Sequence, residues 1–142
     1  MTVTTSARPT TVYRLIAPAI PTTPRVAREA VAAWLWAAGH HGLLDAARTL
    51  VSDVVTNVVV HTDVPRLSVE ATVTRLGTIV SVWDGDQRGV PCPRRADALD
   101  TCGRGLHLVE ALGHAWGVTW TGGVEPAGKR VWFELRAPSE GT

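Results

Sequence analysis

The stretch LVSDVVTNVVVHT, residues 50–62, constrains the fold more than any other part of the chain. Its valines and threonines are β-branched and favour a strand. Yet Asp53, Asn57 and His61 recur at every fourth position. As a strand, these three would share one face with Val55 and Val59, placing a carboxylate and an amide where a buried strand tolerates neither. As a helix at about 100° per residue, Val51, Val55 and Val58 fall within about 60° of one another, while Asp53 and Asn57 lie about 40° apart on the opposite side. The helix sorts the residues and the strand does not. The preceding LLDAARTL also favours helix, whereas each valine costs roughly a few tenths of a kcal/mol relative to alanine. Tertiary packing must therefore hold this helix in place.

Around it the chain is well punctuated. TVYRLIA reads as a first strand, and Pro18, Pro21 and Pro24 break the chain before a helix over Arg25 to Ala38, stopped by Gly39. The second helix runs from near Leu43 to about His61 and ends before DVP. RLSVEATV and TIVSVWD form a hairpin turning at Arg75 to Gly77. Residues 84–101, DGDQRGVPCPRRADALDT, are aperiodic and read as a long binding loop or lid. A short helix from Gly105 to Leu112 follows, then a hairpin of HAWGVTWT and KRVWFELRA across Gly122 and Gly123. The order β, α, α, β, β, loop, α, β, β predicts an α/β two-layer sandwich: a mixed, mainly antiparallel sheet with helices on one face. Trp34, Trp120 and Trp132 are expected to fill the interface between helices and sheet.

With 142 residues, 45% of them hydrophobic, the chain suffices for one domain with its own core. Residues 1–10 read as a flexible N-terminus, 11–137 as the domain and 138–142 as a tail. A net charge of +1 argues against direct nucleic-acid binding or a charged membrane surface. With neither an apolar leader nor a run of apolar residues long enough to span a bilayer, the expected location is the cytoplasm. Cys92 and Cys102 lack further ligands at metal-site spacing and carry no assigned role.

Three segments carry chemistry. On the second helix, Asn57 can offer its amide oxygen to Mg²⁺ while Asp53 orients or deprotonates a nucleophile; a solvated helix face is the plainer reading of the same spacing. In VSVWDGDQRG a buried strand ends at Asp84, an acceptor-only carboxylate suited to the exocyclic amine of adenine, followed by Gly85 and Gly89, which let backbone approach a ligand. In TCGRGLHLVEAL, glycines open a helix whose N–H groups and dipole favour an anion.

In this order the three segments resemble the N, G1 and G2 boxes of the GHKL ATPases, the Bergerat-fold superfamily. The chain looks most like the histidine-kinase-like ATPase domain of bacterial anti-sigma factor serine/threonine kinases, over about residues 12–136. The resemblance implies an ATP site between the sheet and the paired helices, with Asn57 binding Mg²⁺, Asp84 reading adenine beside Gly85 and Gly89, and Gly103, Arg104, Gly105 and Leu106 facing phosphate. It also implies a sigma factor and an anti-anti-sigma factor as partners, and a homodimer. Asp53 stands where the family usually has a glutamate acting as general base, and Asp86 where the first glycine box usually has glycine. His61 ends the first box as a helix-end or phosphate-side residue. Lys129 and Arg130 are given no nucleotide role.

Overall fold

The computed structural model describes residues 10–85, 115–121 and 128–138. β1 spans Thr11–Pro18 and α1 spans Thr23–Ala37. The helix begins before the Arg25 expected from the prolines, because Pro24 falls within its first turn, where an N–H has no intrahelical partner to lose. Thr23, buried at that start, donates its hydroxyl to the Pro18 carbonyl and accepts from the Ile20 N–H at 3.4 Å, fastening α1 to the end of β1.

At its other end α1 closes as Gly39 predicts. Gly39 takes a positive φ of 84°, its N–H donates to the Trp36 carbonyl at 3.0 Å, and the His40 N–H donates to the Leu35 carbonyl at 2.9 Å. These two bonds form a Schellman motif, which satisfies carbonyls the helix itself cannot. A Cβ at Gly39 would meet nothing within 4 Å, so only the backbone opposes substitution. Gly39→Ala is expected to lower stability by about 1 kcal/mol, read as a shifted urea midpoint with an unchanged slope.

A short 3₁₀ turn, His41–Leu43, leads into α2, Leu44–His61. The valine-rich stretch is a helix, and packing holds it: Leu50, Val51, Val54, Val55 and Val58 are buried with Val31 and Leu35 of α1 in one cluster. Thr62 closes α2, its N–H and hydroxyl both donating to the Val58 carbonyl at 3.1 and 2.7 Å.

The strands β2 (Arg66–Thr74), β3 (Gly77–Asp84), β4 (Ala115–Thr121) and β5 (Gly128–Arg136) join β1 in a five-stranded sheet of order β1-β2-β3-β5-β4, antiparallel at every pairing. The helices cover one face, α1 against β1 and β2 and α2 against β3, so the two-layer α/β sandwich is the observed architecture. Alternation does the sorting: Leu67, Val69, Ala71 and Val73 of β2, Val80 and Val82 of β3, and Val131, Phe133 and Leu135 of β5 face the helices in the core. Their neighbours face the helix-free side, where Val12, Ile16 and Ile79 are exposed.

Two details refine the expected picture. The β2–β3 turn at Arg75 and Leu76 uses no positive φ of its own; Gly77 takes it instead, at 150°, so close to β5 that a Cβ there would overlap the Leu135 carbonyl oxygen. Trp34 packs against the core as expected, stacked on Tyr13 at 5.2 Å, but Trp132 does not, because it alternates out of register with Phe133 and lies on the helix-free side. There its indole covers Gly117, where a Cβ would stand 2.7 Å from the ring. The side chain of Trp120 lies outside the described residues. No helix among them is long and apolar enough to cross a membrane.

Candidate functional site

The two ends of the sandwich are built differently. At one end, α1 stops and the β2–β3 hairpin turns; His40 Nε2 lies 2.7 Å from the Thr74 carbonyl, which can only accept, so that nitrogen carries the proton. At the other end β1 stops at Pro18, α2 stops at His61, β2 starts at Arg66, β3 stops at Asp84 and β5 starts at Gly128. The registers confirm the grouping: Pro18 pairs with Arg66, Leu67 with Asp84 and Asp84 with Lys129. Only Thr62 to Pro65 separate α2 from β2, so the last turns of α2 lie at the same end as Asp84. The Ala19 N–H donates to the Pro65 carbonyl at 3.0 Å and ties that connection to the end of β1.

Asp84 continues the inward alternation of Val80 and Val82, so its carboxylate points to the helix-covered side, and its side chain is only 1% exposed. A buried charge of this kind requires a counter-charge or hydrogen bonds. Lys129, directly across the strand pair, brings its Nζ to 3.9 Å from Asp84 Oδ2, and its own side chain is 12% exposed. Gly128 makes the approach possible: a Cβ there would stand 2.5 Å from the Asp84 carbonyl oxygen. Gly85 follows at the exposed rim.

Asp53 and Asn57 sit one turn apart on α2, both half-buried. The expected position on the far side of the helix needs correction. Besides Val51, Val55 and Val58, the residues Ala47, Leu50 and Val54 are buried, so the buried arc spans about 140° of the helix and Asp53 and Asn57 flank it. The plain solvated face belongs to Thr49, Thr56 and Val60, which are exposed. A polar pair on the flank of a buried stripe is partly withdrawn from water, which strengthens any interaction it makes with a charged ligand. His61, the last residue of α2, is exposed, and Thr62 beyond it caps the helix through the Val58 carbonyl.

The structure thus groups the Asp84 end of β3 with the C-terminal half of α2, and adds Lys129, which sequence reasoning passed over. The signal was present: stepping back by twos from Leu135, Phe133 and Val131 lands Lys129 on the helix-covered face. Arg130, on the opposite face, donates its Nε to the buried Ser81 hydroxyl at 2.9 Å and has a structural role. Gly89, Gly103, Arg104, Gly105, Leu106, Asp86 and both cysteines lie outside the described residues, as do the Gly105 to Leu112 helix and the turn at Gly122 and Gly123. An open groove of about 460 Å³ also occurs at this end; Asp84 and Gly85 line it at the strand end, and Ile16, Ser68 and Trp83, aligned across three strands, extend it along the helix-free face.

No family model matches the chain, and no curated protein matches it.

Proposed function

We propose that the chain is an ATP-binding regulatory protein, an anti-sigma factor that phosphorylates a serine or threonine of an anti-anti-sigma partner. The observation that supports this best is the buried, helix-facing carboxylate of Asp84 at the end of a central strand, grouped with the amide and carboxylate of α2. An acceptor held out of water at the bottom of a layer interface suits the amine of adenine. The sigma factor, its antagonist and a second copy of the chain are partners implied by the resemblance of the three boxes.

The donor set fits Mg-ATP. Mg²⁺ held mostly by phosphate oxygens and water asks for only one or two protein oxygens, and Asn57 offers a neutral one. Bound Mg-ATP would supply the γ-phosphoryl group. The partner's hydroxyl would pass its proton to Asp53 as its oxygen bonds to the γ-phosphorus and the bridging oxygen leaves with ADP.

Titration calorimetry with ATP and ADP, with and without Mg²⁺, tests the binding half. Transfer of labelled phosphate to a cognate antagonist tests the rest, with Asp53→Ala expected to slow it by about a hundredfold. Aspartate is one methylene shorter than glutamate, which favours a second reading: a nucleotide-sensing switch that regulates its partner by binding alone. A shortfall of about 1 Å can cost on the order of a hundredfold in rate. An inert wild type activated by Asp53→Glu would establish the switch; an active wild type would exclude it.

A further inference from the structure

On the helix-free face the groove is built by one row of residues across three strands. Ile16 of β1 pairs with Ser68 of β2, and Ser68 pairs with Trp83 of β3. Adjacent strands lie about 4.8 Å apart, so the branched chain and the indole stand roughly 10 Å apart with a small hydroxyl residue between them. That spacing leaves room for one large apolar side chain. A second notch of about 450 Å³ adjoins the first and shares Ile16, Pro65 and Arg66 with it. Ile16 is 65% exposed, so neither notch is covered by the fold.

The charge over this surface has one sign. Arg66 is the one exposed charged side chain in either lining and has no acidic partner among the described residues. Arg130, directly across from Trp83, gives its Nε to the Ser81 hydroxyl and likewise meets no carboxylate among the described residues. The neighbouring acids are already engaged. Glu70 holds Arg14 at 2.6 Å, and the Asp84 side chain, 1% exposed, points to the covered side with Lys129.

We propose that this groove docks an acidic segment of a partner protein. The segment seats one apolar side chain in each notch and sets a carboxylate against Arg66, with Arg130 beside the indole to receive a second. Tryptophan and arginine at the rim of an open apolar recess are the side chains on which protein interfaces concentrate their affinity. Charge decides against a second copy of the chain as occupant, because a two-fold contact would turn the same arginines upon each other. The surface lies on the opposite side of the sheet from α2, and its occupancy does not depend on nucleotide.

The test is selection of a displayed library of random twelve-residue peptides on the full chain, followed by fluorescence anisotropy with the enriched peptides. Enriched sequences are expected to pair large apolar residues with aspartate or glutamate. Arg66→Glu and Ile16→Ser, both at exposed positions, are each expected to weaken them by about tenfold or more. Peptides with lysine in place of the acid should bind Arg66→Glu better than wild type, a reversal that misfolding cannot produce. Failure to enrich any sequence, enrichment without acidic residues, or binding that both substitutions leave within about twofold overturns the proposal. So does a wild-type dimer in sedimentation equilibrium that Ile16→Ser abolishes, since the face would then belong to a second copy.

Discussion

Asp84→Asn is expected to weaken ATP binding by about a hundredfold to a thousandfold while leaving the sheet intact. The side chain keeps its shape but loses its charge, and an amide can present N–H₂ where the base presents its own amine. Lys129, 3.9 Å away and largely out of solvent, then faces a neutral group. Leaving one member of a partly buried pair without its counter-charge destabilises, so a moderate fall in melting temperature should accompany the loss of affinity. Calorimetry at a temperature well below that melting point separates the two effects. Affinity within a few fold of wild type would remove Asp84 from the base site.

Phe133→Ala is expected to cost about 3–5 kcal/mol, enough to unfold an ordinary domain partly at room temperature. Phe133 is the largest fully buried side chain among the described residues, at the middle of β5 between β3 and β4. It faces the helices from the strand that joins the first three strands to the last, so the cavity opens in the core cluster that both helices share with the sheet. Urea unfolding followed by circular dichroism reads the loss directly; a change under about 1 kcal/mol would mean that the helices collapse onto the gap.

Much of the fold was legible because periodicity is a local property. The helical identity of residues 50–62 follows from where the polar residues fall, and β2 and β3 follow from simple alternation about Gly77. What local pattern could not show was breadth. Val51, Val55 and Val58 alone put Asp53 and Asn57 on the far side of α2, whereas Leu50 and Val54 widen the buried arc towards them once α1 packs alongside. The same holds for the site. Asp84 stood out as a strand-ending carboxylate, but Lys129 acquires its meaning from the β3–β5 register, a pairing of residues 45 positions apart in the chain. Trp132 shows the reverse error: size suggested the core, and a one-residue offset from Phe133 put it on the other face.

The stack of Tyr13 on Trp34 has a consequence for observing the molecule in motion. β1 is an edge strand, paired in the sheet with β2, and this ring pair, 8° from parallel, is a side-chain clasp between it and α1. Tyr13 is the chain's single tyrosine. Stacked rings of this kind couple their electronic transitions and give a near-ultraviolet circular dichroism signal that depends on the fixed geometry, so peeling of β1 from α1 would change that signal, reporting opening of the edge without a label.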